Sequence, residues 1–148
     1  MVINDLKSMG IVLERTLIGV IYELWLCNKR YWPFIVCTGL LCITWLSLKP
    51  PYVGPPGIPG IDKVQHLLAW GMVALPIVVA KPKGVYGFLL LLWLASGLIE
   101  CVQPYFQRTF DVLDLLANGT GIALALYGGE RGVIRVMQLL TRKCECSI

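Results

Sequence analysis

Asp62 and His66 stand one helical turn apart in "DKVQHLLAW", which puts a carboxylate and the chain's only imidazole on one helix face. That pairing is the raw material of general acid–base chemistry. Farther along, Glu100 and Gln103 are spaced i and i+3, and Asp111, Asp114 and Asn118 step by three and then four along one stripe. Lys63 and Arg108 add cations beside these acids. In an enzyme, His66 with Asp62 would be the acid–base pair, Glu100 and Asp114 further carboxylates, and Arg108 an anion contact. Lys63, Gln103, Asp111 and Asn118 would complete the binding surface. No G-x-S-x-G motif supplies a nucleophile. A tightly held divalent metal is not favoured. One imidazole with carboxylates can ligate a metal, but neither H-E-x-x-H nor a second histidine is present. No cofactor is called for.

The elements that must position these residues are apolar. The chain is 148 residues long, 57% hydrophobic and 15% charged, with a mean hydropathy of +0.71. Its charges are bunched between long apolar runs. Crossing a hydrocarbon core as a helix takes roughly 17 to 25 such residues, and four stretches approach that length: 31–48, 64–80, 85–102 and 112–127. The expected fold is an all-α membrane protein of four short transmembrane helices. The net charge of +4 is no nucleic-acid signature, because no basic block is interleaved with exposed aromatics.

With the N-terminus in the cytoplasm, ten basic residues fall inside: Lys7, Arg15, Lys29, Arg30, Lys81, Lys83, Arg131, Arg135, Arg142 and Lys143. Only Lys49, Lys63 and Arg108 fall outside. The positive-inside rule therefore predicts that both termini are cytoplasmic. Residues 1–29 carry Ile3, Leu6, Gly10, Leu13, Leu17, Val20 and Leu24 at three- and four-residue steps, together with Glu14, Arg15 and Glu23. That pattern predicts an amphipathic helix on the inner surface, ahead of a transmembrane domain over 30–128. Residues 129–148 read as a basic amphipathic tail suited to an anionic leaflet. The Pro- and Gly-rich "KPPYVGPPGIPG" is an extended, water-exposed outer loop. No cleavable signal peptide is evident. The six cysteines suggest no disulfide framework and read as small apolar residues, with Cys144-x-Cys146 left without a role.

In this topology every polar helix end lies on the outer side. Asp111 to Asn118 spans roughly 10 Å of helix rise, and an ionised carboxylate in lipid costs at least ~2.5 kcal/mol. Such groups must face inward and pair, which predicts an outward-opening polar pocket. Gly119, Gly121 and Ala123 would let the fourth span pack closely beneath it. Asp62, Glu100, Asp111 and Asp114 outnumber Lys63 and Arg108, leaving room for a proton or a cation. A purely structural account competes: Asp62 and Asp111 sit at helix N-termini, where carboxylates are favoured, and Arg108 could neutralise Glu100. Capping does not explain His66, Glu100 or Asn118.

Asp62-Lys63-x-x-His66, then Glu100-x-x-Gln103, then Arg108-x-x-Asp111-x-x-Asp114-x-x-x-Asn118-x-x-Gly121 resembles the VanZ-like family of bacterial membrane proteins. The resemblance covers 31–127 and rests on three separated motifs in order at span ends. It implies a multi-pass protein of the bacterial cytoplasmic membrane, in an antibiotic resistance-related family whose namesake is associated with low-level teicoplanin resistance. No feature of this sequence indicates a glycopeptide context. Three functions compete. The first is binding or processing of an amphiphilic cell-envelope molecule, such as a lipid-linked saccharide headgroup. The second is a non-catalytic scaffold or accessory subunit of an envelope or polysaccharide complex. The third is a subunit of an ion-coupled transporter. The expected partners are the lipid bilayer, a lipid-linked substrate or envelope proteins, and a second copy of the chain.

Overall fold

The computed structural model describes residues 2–49, 60–133 and 135, with side chains in the first helix described at Thr16 and from Gly19 onward. Four α-helices are present among the described residues: α1 (Val2–Leu48), α2 (Ile61–Ala80), α3 (Val85–Val102) and α4 (Val112–Gly128). A 3-10 turn over Gln103–Phe106 follows α3, and a π-helical turn over Gly129–Val133 follows α4. There is no strand among the described residues. The loop at 50–59, most of the basic tail with Cys144 and Cys146, and the side chains of the N-terminal stripe from Ile3 to Leu17 lie outside them.

The helices end where the backbone chemistry requires it. Lys81 closes α2 in the left-handed region at φ 51, its N–H returning to the Ile77 carbonyl, and Pro82 follows. Gly84, at φ 79, opens α3. Asp111 opens α4 in extended conformation and caps it. A helix such as α2, with its 20 residues, is about 30 Å long, the thickness of a bilayer core. All four helices contain a stretch long and apolar enough to cross it. Phe34, Leu41, Trp45 and Met72 are largely exposed on the outside of the bundle, which only an apolar surround accommodates. This is a multi-pass membrane protein.

α1 is a single unbroken helix of 47 residues. At about 70 Å it is more than twice the core thickness. Pro33 removes one backbone donor without ending it. The membrane-capable stretch runs over Gly19–Leu48, so it starts earlier than Tyr31. The reason is local. The Asn28 amide donates to the Pro76 carbonyl of α2 at 3.1 Å, and Lys29 lies over the Trp25 ring at 4.0 Å. Polar residues that read as a boundary are thus accommodated on the bundle. Cys27, Cys37, Cys42 and Cys101 are free thiols, as expected, but they face outward from the protein core.

α2 is the central element. Trp70, Val73, Ala74, Ile77 and Val78 are buried between Val36 and Ile43 of α1, Leu89 and Leu92 of α3, and Ile122 of α4. Contacts step together along α2 and α4, from Lys63–Asp114 through His66–Asn118 and Gly71–Gly121 to Val78–Gly129, so the two run parallel. α1 and α3 run the other way, as Asn28–Pro76 and Glu100–Asn118 show. The α2–α4 approach is backbone on backbone. A Cβ on Gly71 would lie 3.1 Å from the Gly121 carbonyl oxygen, and one on Gly121 would collide with the Leu67 carbonyl. Gly119 leaves room for the Trp93 indole, whose Nε1 would lie 2.9 Å from an added Cβ. Ala123, by contrast, faces outward and takes no part.

Gly121→Ala must therefore push α2 and α4 apart one turn below His66. Overpacking of this kind costs about 1–3 kcal/mol. A clear drop in the thermal unfolding midpoint of the purified protein is expected. An unchanged midpoint would show that the contact relaxes without cost.

Candidate functional site

The nine polar residues singled out in the sequence lie toward one end of the bundle, and seven of them form two arrangements. In the first, Lys63 is central. Its Nζ donates to Asp62 Oδ2 at 3.0 Å, Asp111 Oδ2 at 2.7 Å and Asp114 Oδ1 at 2.8 Å. Oxygens of these three carboxylates lie within 4.8 Å of one another, close enough to ligate a divalent cation, but the ammonium already stands among them. Asp111 serves two structures at once: its Oδ1 accepts from the Leu113 N–H at 2.8 Å as the α4 cap, while Oδ2 takes Lys63. The Lys63 ammonium, aided by the Leu113 N–H, holds the Asp111 carboxyl below the usual carboxylate range.

The second arrangement lies one turn deeper, around His66. Its Nδ1 is 3.0 Å from Asn118 Oδ1 and 3.5 Å from Glu100 Oε1, and its Nε2 is 3.8 Å from Asp114 Oδ2. Both ring nitrogens thus face oxygen; a neutral ring donates to one side only, an imidazolium to both. The expected partnership of His66 with Asp62 does not form. Helical spacing puts the two on one face, but the Asp62 carboxylate bonds Lys63, and Asp114 and Glu100 from other helices face the imidazole.

Two buried groups are incompletely satisfied. Glu100 is 1% exposed and Gln103 2% exposed, and Glu100 Oε2 and Gln103 Nε2 have no hydrogen-bond partner among the described residues. The one bond to Glu100 from Asn118 Nδ2 is long, at 3.5 Å. Unsatisfied buried polar atoms cost about 1–3 kcal/mol each, so they are a place where stability has been forgone.

Arg108 stands apart. It forms no ion pair with Glu100; its Nη1 donates to the Leu46 and Ser47 carbonyls at 3.4 and 3.3 Å, tying the loop to the last turn of α1. It also lines a cavity of about 420 Å³ between α1 and α2, shared with Ser47, Gln65 and His66 on the polar side. Ile43, Leu46, Ala69 and Trp70 form the apolar side. Spacing missed Ser47 and Gln65. Gln65 lies in the polar start of α2 but off the Asp62–His66 stripe, and only packing against α1 gives it a wall.

Two outcomes follow from this geometry. Asp111→Asn keeps a capping oxygen but removes the charge. A carboxyl depressed in the folded state stabilises above its unfolded pKa of about 3.9, and that stabilisation is lost as pH falls through the lower native value. The thermal midpoint of the wild type should exceed that of the variant at neutral pH, the gap closing only in acid. A gap independent of pH would remove the ion pair from the account. Gln103→Leu replaces a buried amide with an apolar group of similar size, so its midpoint should equal or exceed that of the wild type. A fall of several degrees would show that the amide has a partner.

No curated protein and no solved structure matches the chain. The profile of one family, described as VanZ/LLP1, matches residues 22–129, which takes in the membrane-capable helices and all nine polar residues. Over most of its length, and through the whole of its polar end, this chain belongs to the VanZ/LLP1 family.

Proposed function

We propose that the polar end of the bundle binds, and in an enzyme would process, the headgroup of an amphiphilic cell-envelope molecule at the outer face of the bacterial cytoplasmic membrane, with both chain termini in the cytoplasm. The observation that carries this reading is the cavity between α1 and α2. Its wall changes from polar, at His66, Gln65 and Arg108, to apolar, at Ile43, Ala69 and Trp70. A ligand with a polar head beside an alkyl segment matches that division, whereas a small hydrophilic solute would leave the apolar part unmet. The direction of the polar end follows from the distribution of Lys and Arg between the two sides. His66 is the group that joins the cavity to the buried carboxylates, since it lines the first and faces Glu100 and Asp114. If chemistry occurs, His66 is the proton carrier and Asp114 and Glu100 are its partners.

A second reading draws on the Lys63 cage. Three carboxylates held by one ammonium also make a strong internal tie, which suits a non-catalytic accessory subunit whose polar end maintains its shape. The two readings separate in cells. In a strain with a deletion phenotype, His66→Ala, Glu100→Gln and Asp114→Asn should each fail to complement while reaching normal membrane abundance. Full complementation by all three at normal abundance would sink the binding-site reading. Failure only in step with lost abundance would favour the structural tie.

A further inference from the structure

We infer that the headgroup taken by the cavity carries a phosphate, and that Arg108 is its principal contact. This rests on the proposed reading of the cavity as an amphiphile site and names the chemistry of the head.

The polar end as a whole is rich in acids, yet no carboxylate lines the cavity: its polar side chains are Ser47, Gln65, His66 and Arg108. The acids are turned elsewhere. Asp62, Asp111 and Asp114 close on Lys63, and Glu100 lies behind His66 and Asn118. The wall that a ligand meets is therefore made of donors. A guanidinium, an amide N–H₂ and a hydroxyl are what a phosphate oxygen requires; the His66 ring nitrogens are turned to Asn118 and Asp114.

Arg108 is also free to answer it. Among the described residues it makes no ion pair, although its charge acts on Glu100 at longer range. Its two hydrogen bonds both come from Nη1, both are long, and both go to neutral backbone carbonyls. Nη2 and Nε have no partner among the described residues. Those nitrogens form the planar fork that recognises a phosphate through two parallel bonds. A neutral sugar could use Gln65 and Ser47, but it would leave the guanidinium charge unanswered. The acids behind the wall oppose any anion. Lys63 bonds three of them and offsets one of their charges, and the His66 ring stands between the cavity and Glu100. Inorganic phosphate offers the same oxygens without an alkyl segment, so it would leave Ile43, Ala69 and Trp70 uncovered.

The test uses the full chain in neutral maltoside micelles, with dodecyl phosphate, dodecanol and inorganic phosphate as probes and intrinsic tryptophan fluorescence as the readout, since Trp70 lines the cavity. Dodecyl phosphate should bind about tenfold or more tighter than either other probe, the difference expected of a charged hydrogen-bonded contact. Arg108→Gln should abolish that preference and Arg108→Lys should restore only part of it. Because Arg108 also ties the end of α1, Gln65→Leu provides a second variant that touches only the wall, and it should weaken dodecyl phosphate without altering the thermal midpoint. Equal affinity for dodecanol and dodecyl phosphate, with binding lost in His66→Ala, would overturn the phosphate inference and leave the amphiphile reading standing. Inorganic phosphate binding as tightly as dodecyl phosphate would keep the Arg108 contact and overturn the amphiphile. If no probe binds, both fall.

Discussion

Lys63 Nζ lies within 3.0 Å of carboxylates from Asp62, Asp111 and Asp114, which begin two separate helices. Much else at this end of the bundle depends on that ammonium. Three carboxylates cannot be gathered beside a hydrocarbon core without a counter-charge, because each pays for the water it loses and each repels the others. By answering all three, Lys63 ties the start of α2 to the start of α4 and sets their relative height. That height places His66 opposite Asn118 and beside Asp114. It also leaves the carboxylates facing one another and not the cavity.

Below the cage, the same pair of helices is held by the absence of side chains. Gly71 and Gly121 allow the α2 and α4 backbones to touch. In lipid, where apolar burial gives no advantage to helix association, such close contact is a main source of cohesion. The cage above and the glycines below grip α2 and α4 on either side of His66. That rigidity contrasts with the unmet hydrogen-bonding capacity of Glu100 on α3 and of Gln103 in the turn that follows it. A bundle selected for stability alone would place apolar groups there. Glu100 Oε1 lies 3.5 Å from that well-held imidazole.

Much of this was legible in residue order. The apolar runs foretold four spans, and three of the helices begin or end within a few residues of the expected positions. Capping by Asp111 was legible because a carboxylate just ahead of an apolar run has few other uses. The i, i+3 and i, i+4 spacings picked out seven polar residues at this end, with Lys63 and Arg108 read as the cations beside them. Spacing went wrong where two helices had to be compared. It grouped His66 with Asp62, the neighbour on its own helix, whereas the Asp62 carboxylate bonds Lys63. It also opened the first span at Tyr31, whereas the membrane-capable stretch starts at Gly19 and Asn28 donates to the Pro76 carbonyl of another helix.

Residue order by itself therefore determined that this chain lives in a membrane, how many times it can cross, and which polar groups gather at one end. These follow from local quantities: the hydropathy of a segment and the periodicity of a helix. The tertiary structure decided which acid answers which cation, that the Lys63 ammonium stands among three carboxylates, and that Arg108 is left to line a cavity with Gln65 and Ser47. Those outcomes depend on the rotation and height of whole helices against one another. Here they are set by backbone contact at Gly121 and by a single ammonium, and no periodicity within one helix records them.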